Sequence, residues 1–91
     1  MSKATLQIPP FFLKIDGELV EVLEILKSRL ITGEEWYHVV VSIHYRGMRG
    51  KPYSLSVRSL KELENKLKIE ITKLKMIEFA YGIEEVRRLI T

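Results

Sequence analysis

The stretch Trp36–Arg58, WYHVVVSIHYRGMRGKPYSLSVR, decides how this chain is read. Its first eleven residues alternate with period two, placing Tyr37, Val39, Val41, Ile43 and Tyr45 on one side and Trp36, His38, Val40, Ser42, His44 and Arg46 on the other. Gly47-Met48-Arg49-Gly50 supplies the glycines of a short connection. Tyr53, Leu55 and Val57 then resume the alternation opposite Ser54, Ser56 and Arg58. The spacing predicts a β-hairpin with one apolar face, formed by Tyr37, Val39, Val41, Ile43, Tyr45, Tyr53, Leu55 and Val57. The other face carries His38, Ser42, His44, Arg46, Ser54, Ser56 and Arg58.

Downstream, Ser59 followed three residues later by Glu62 is a capping box, placed where the alternation stops. Leu60, Leu63, Leu67, Ile71, Leu74, Ile77 and Tyr81 continue as a helical stripe until Gly82, which predicts a long helix ended by a glycine. Ile69, Met76 and Ala80 lie on its opposite side, so this helix is expected to need a second cover, and those three residues are candidates for oligomerisation. A last short helix is expected over Glu84 to Ile90, with acids at its start and Arg87-Arg88 near its end, as the helix dipole favours.

Upstream, Pro9-Pro10 interrupts a β-rich segment, and a short strand is expected near Phe11 to Ile15. Asp16, before Gly17 and Glu18, reads as an N-cap. Leu19, Val22, Leu23, Leu26 and Leu30 recur at spacings of three and four, with Glu21, Glu24, Lys27, Ser28 and Arg29 on the complementary arc, so a helix is expected up to Thr32-Gly33; strand alternation fits this segment worse. The expected architecture is α+β, an antiparallel hairpin or small sheet packed on helices in the order (β)αββαα with a long penultimate helix. Residues 1–91 are expected to form one domain, with 1–10 a flexible N-terminal arm.

Composition narrows the function. An apolar fraction of 46% and a charged fraction of 30% describe a soluble globular protein, and no apolar run is long enough to cross a bilayer. The N-terminus lacks the apolar segment and small-residue site of a secretion signal, so a cytoplasmic location is expected. The absence of cysteine removes disulfides, thiolate metal sites and cysteine nucleophiles. One Asn and one Gln, against abundant Lys, Arg, Glu, Ile and Leu, is the bias of proteins from hot environments and points to a thermophilic, archaeal source.

Between Trp36 and Lys61 the chain has no acid, although twelve are spread over the rest. That interval holds Arg46, Arg49, Lys51, Arg58, both histidines and the single Trp. Cations interleaved with rings suit a polyanion that offers flat π faces, and single-stranded nucleic acid is the common case. Alternation assigns Tyr37, Tyr45 and Tyr53 to the core side. The expected nucleic-acid contacts are therefore Trp36, His38, His44, Arg46, Arg49, Lys51 and Arg58, with phosphate contact weighted above base stacking.

His38, Ser42 and His44 share a strand face, but two histidines without a local acid or thiolate make neither a zinc site nor a Ser-His-acid triad. Gly47-Met48-Arg49-Gly50 is followed by a strand and not by Lys-Ser/Thr on a helix, which excludes a nucleotide-binding loop. No enzyme activity, cofactor, metal or small-molecule substrate is expected. The reading is a non-enzymatic module for single-stranded DNA or RNA, expected to be a homodimer. The alternative is an assembly subunit or homodimeric structural protein whose hairpin face binds protein.

The segment WYHVVVSIHYRGMRGKPYSLSVRSLKELENKL, an aromatic and basic antiparallel sheet leading into a long heptad-like helix, resembles the archaeal single-stranded-DNA-binding proteins called ThermoDBP and their relatives over about residues 36–81. The resemblance implies a sheet face that binds single strands without sequence preference and helices that mediate oligomerisation. Double-stranded-RNA-binding domains also combine helices with an antiparallel sheet, but the lysine cluster at their last helix is reduced here to Lys61, which ranks them lower.

Overall fold

A computed structural model describes residues 4–6 and 10–91. The elements are β1 (Ala4–Leu6), β2 (Phe11–Ile15), β3 (Glu18–Arg29), β4 (Glu35–Tyr45), β5 (Met48–Arg49), β6 (Tyr53–Val57), α1 (Leu60–Tyr81) and α2 (Ile83–Ile90). The class is α+β as expected, with a long helix before a short last one. The order differs most where the helix expected after Asp16 is the longest strand of the sheet, and two short strands, β1 and β5, are added. Of the segment expected as an arm, Ala4–Leu6 pair with β3, and residues 1–3 and 7–9 lie outside the described residues.

The correction at Asp16 has a local cause. Asp16 and Gly17 have φ of 51° and 83°, positive at both central positions, and Ile15 pairs with Glu18 across them. That is the two-residue hairpin loop favoured by Asp-Gly, whose twist matches that of the flanking strands. The second hairpin closes in the same way. Arg46 (φ 52°) and Gly47 (φ 81°) join Tyr45 to Met48, one residue earlier than the glycine spacing had placed the connection.

All pairings are antiparallel, with β3 and β4 central, β1 and β2 along the outer edge of β3, and β5 and β6 along the outer edge of β4. Between β5 and β6 the strand bulges. Arg49 pairs with His44 and Tyr53 with Val41, so the outer strand needs four steps where β4 needs three. Gly50 N–H donates to Ile43 O at 2.9 Å within this bulge, and Lys51 N–H turns away to Ile90 O of α2 at 2.6 Å.

A second irregularity lies in β3, where the register with β4 shifts between Val22 and Glu24. Before it Glu18, Val20 and Val22 are buried; after it the inward positions are odd-numbered, with Ile25 opposite Val39. Residues directly opposite share a face. The expected apolar side of β4 and β6 is the inner face, with Val39, Val41, Ile43, Tyr45 and Val57 buried. Leu63, Leu67, Ile71 and Leu74 of α1 and Val86 of α2 close the core over it.

The capping box at the start of α1 forms with a shifted partner. Glu62 N–H donates to Ser59 Oγ at 3.1 Å, whereas the Glu62 carboxylate accepts from the N–H of Arg58 at 2.7 Å. At the other end Gly82 takes φ 95° and its N–H donates to Glu78 O at 2.8 Å. Running back from Val57 toward the two hairpin turns, α1 leaves the far end of the β3–β4 hairpin beyond its own start. Leu30 and Ile31 are exposed there, in a loop closed by the Gly33 N–H to Leu30 O bond.

Candidate nucleic-acid interface

Both helices lie on the inner side of the sheet, so among the described residues no helix covers the outer side, where Ser42 alone is fully buried, bonded to the carbonyl of Gly50 in the bulge. Register places Phe12 and Lys14 of β2, Leu19, Glu21, Glu24, Leu26 and Ser28 of β3, Trp36, His38, Val40, Ser42 and His44 of β4, Arg49 of β5, and Ser54 and Ser56 of β6 on that face.

Ring and cation meet at each end of the face. At one end the Arg58 guanidinium carbon sits 5.4 Å from the Trp36 ring centroid, and its terminal nitrogen is 3.5 Å from Glu34. His38, next along β4, is bracketed by Ser56 Oγ at 2.9 Å and Ser28 Oγ at 3.3 Å. At the other end Phe12 meets His44 edge to face, with centroids 5.3 Å apart. His44 Nε2 lies 3.2 Å from Glu21 Oε1, and Arg49 lies 3.6 Å from the same oxygen. Trp36 and His44 are eight residues apart, about 27 Å along an antiparallel strand.

Two expected contacts lie elsewhere. Arg46 occupies the hairpin turn with a guanidinium 3.2 Å from Glu78 Oε1 and 3.4 Å from Glu18 Oε2, while its N–H donates to Glu18 Oε1 at 2.9 Å. The same Glu78 oxygen accepts from Tyr45 OH at 2.5 Å. The bond from Tyr45 holds Glu78 below the usual carboxylate range, with Arg46 adding to it, and burial followed by the Glu78 contact pushes Tyr45 up to about 12. This network fastens the hairpin turn to the end of α1. Lys51 lies at the bulge, lining a cleft of about 410 Å³ with Tyr53, Glu70, Lys73 and residues of α2.

The acid-free interval is thus acid-free along the chain but not in space. Glu21 is brought to Arg49 by the β3–β4 pairing, Glu18 and Glu78 to Arg46, and Glu34 to Arg58. The tyrosines behave as alternation assigned them. Tyr45 is fully buried, and Tyr37 and Tyr53 pack at the rim of the core. Phe12 is the ring that sequence reasoning missed, 51% exposed on the open face. Its signal was Asp16-Gly17 between two alternating runs, which sets β2 against β3 and Phe12 opposite Glu21.

Ile69, Met76 and Ala80 are exposed on the outer side of α1, with Phe79 beside them. Among the described residues no three His, Asp or Glu side chains group as metal ligands, and no helix is long and apolar enough to cross a membrane. Comparison with protein-family models, with curated proteins and with solved structures gives no match for this chain.

Proposed function

We propose that the protein is a non-enzymatic module that holds single-stranded nucleic acid across the helix-free face of its sheet. The observation that carries this reading is the placing of rings beside cations at both ends of the helix-free face: part-exposed Trp36 under Arg58, and exposed Phe12 on part-exposed His44, which stands opposite Arg49. Bases stack on rings of any sequence, while phosphates track the cations. Arg49, Arg58 and Lys14 supply the charge, and Phe12, Trp36, His38 and His44 supply flat surfaces. The Glu34 carboxylate is a weak competitor for Arg58, because exposed ion pairs contribute about 0–1 kcal/mol. Arg46 is a structural residue in this reading, and Lys51 stands outside the face. The resemblance of residues 36–81 to the ThermoDBP proteins points to the same class of ligand.

Trp36 is the only tryptophan and sits on the face, so its fluorescence reports binding directly. Titration with oligo(dT) and oligo(U) should quench it. With three face cations, the log–log dependence of affinity on salt should have a slope of about −2, from about −0.7 per phosphate neutralised on a single strand. Arg49→Ala and Arg58→Ala should each flatten that slope by about 0.7, whereas Arg46→Ala should leave it unchanged. No quenching by either oligonucleotide at low salt would sink the proposal, and the stronger of the two ligands assigns DNA or RNA.

A further inference from the structure

The solvent side of α1 carries a pattern that the sheet face does not use. Ile69, Thr72, Met76 and Phe79 follow the 3-4-3 spacing of heptad positions a and d, and Ile69, Met76 and Phe79 are 55%, 65% and 94% exposed. The flanking e and g positions are lysines: Lys66 and Lys73 on one side, Lys61, Lys68 and Lys75 on the other. The two rows lean to opposite edges of the sheet, since Lys66 Nζ donates to Ser56 O of β6 and Lys75 Nζ to Asp16 O of the β2–β3 turn, both at 3.2 Å. Glu70 and Glu78 of the same helix sit on its flanks toward the sheet and are engaged by Lys73 and by Tyr45 with Arg46, while Glu62, one heptad before Ile69, ends the apolar seam and accepts from the Arg58 N–H. Lys61, Lys68 and Lys75 have no carboxylate partner among the described residues.

Each possible cover for this seam meets the lysine rows differently. A second copy of α1 would set lysine against lysine in either orientation, because parallel packing apposes e with g and antiparallel packing apposes e with e and g with g. A lipid surface asks for an apolar arc of at least about 100°, broader than a single a/d seam. An amphipathic helix with apolar a and d residues and glutamates at e and g satisfies both the seam and the rows. We propose that α1 docks such an acid-flanked helix from another protein, through Ile69, Met76 and Phe79 with Lys68, Lys73 and Lys75 selecting the charge. The docking side is opposite the sheet, so a helix there leaves the nucleic-acid face free.

The test uses two synthetic three-heptad peptides with Leu at a and d, one carrying Glu and the other Lys at every e and g, titrated into the full chain by calorimetry. The glutamate peptide should bind at least tenfold more tightly than the lysine peptide. Phe79→Ser and Met76→Ser should each weaken it several-fold, and the double variant Lys68→Glu, Lys75→Glu should reverse the preference. Lys68, Met76 and Phe79 are exposed and Lys75 is half-buried with its bond to Asp16 O, so circular dichroism checks that each variant keeps the parental melt. Equal binding of the two peptides, or none, overturns the proposal. So does a sedimenting dimer that Met76→Ser dissolves, which would make a second copy the occupant. Phe79-dependent partition onto phosphatidylserine vesicles in preference to the glutamate peptide would assign the seam to a lipid surface and overturn it equally.

Discussion

Replacing Gly50 by alanine tests how closely the bulge between β5 and β6 must approach β4. A Cβ built on Gly50 lies 2.5 Å from the carbonyl oxygen of Ile43, about 0.8 Å inside the closest comfortable carbon–oxygen approach. The obstacle is backbone in a central strand, and it cannot swing aside as a side chain would. Moving Gly50 instead stretches two bonds that depend on it, its own N–H to Ile43 O at 2.9 Å and the fully buried Ser42 hydroxyl to its carbonyl at 2.6 Å. Overpacking costs about 1–3 kcal/mol, and a weakened buried hydrogen bond adds about 1 kcal/mol or more. Alanine returns about 0.4–1 kcal/mol by restricting the unfolded chain. The net is a loss of about 2–3 kcal/mol, which for a domain of this size lowers Tm by about 10–20 °C. Thermal melts followed by circular dichroism, with urea titrations to confirm an unchanged m value, measure it. Ser42→Ala is the partner experiment, and its cost should shrink in the Gly50→Ala background because the two share one bond. A Gly50→Ala melt within about 3 °C of the parent, less than a 1 kcal/mol loss would give, would refute the reasoning, since the bulge would then have room to relax.

Three titrating groups give further expectations. Tyr53 OH is buried without a partner, and burial, with Glu70 nearby, pushes its pKa up to about 12. Tyr53→Phe should therefore match or exceed the parent in stability at pH 7; a loss above about 1 kcal/mol would reveal a hydrogen bond at that hydroxyl. Because the folded values of Tyr45 and Tyr53 stand at about 12 against 10.0 unfolded, the parent should lose stability as pH rises from 10 toward 12. Tyr53→Phe should lose less over that window. Glu78 has the opposite sign. Its folded pKa is depressed, so its contribution is complete above the ordinary carboxylate range and disappears as pH falls through the lower folded value. Urea midpoints of Glu78→Gln between pH 6 and pH 2 should fall less steeply than those of the parent, and parallel curves would count against the Tyr45–Glu78–Arg46 network.

Strong local signals carried much of the fold. Alternation from Trp36 to Val57 located the second hairpin and its buried face, and Ser59, Glu62 and Gly82 bounded α1. The error at residues 18–29 is instructive because the bulge at Leu23 produced it. An unbroken strand would have kept its apolar side chains on one parity, but the inserted residue moved the inward set from Val20 and Val22 to Ile25. The resulting spacing of Leu19, Val22, Leu23 and Leu26 imitates a helix. Asp16-Gly17 favoured the hairpin all along, and the N-cap reading of Asp16 outweighed it. The candidate face was half legible. Trp36, His38, His44, Arg49 and Arg58 lie on or beside it, but the carboxylates that pair with Arg49, Arg46 and Arg58 come from residues 24 to 32 positions away in sequence. No local window contains such pairings.

The β3–β4 hairpin that runs past the start of α1 divides the molecule into two regimes of motion. Around Val39–Ile43 the strand is paired on both sides and its inward side chains are buried, so hydrogen exchange there should require global unfolding. Near Lys27–Glu35, where exposed Leu30 and Ile31 add nothing to the core, amides exchange through local opening. Trp36 stands at the boundary and His44 well inside the protected half. A strand lying along the face would meet a fixed anvil at the His44 end and a spring at the Trp36 end. The exchange rates of Ser28 and Trp36 amides should therefore slow more on binding than those beside His44, which are already slow.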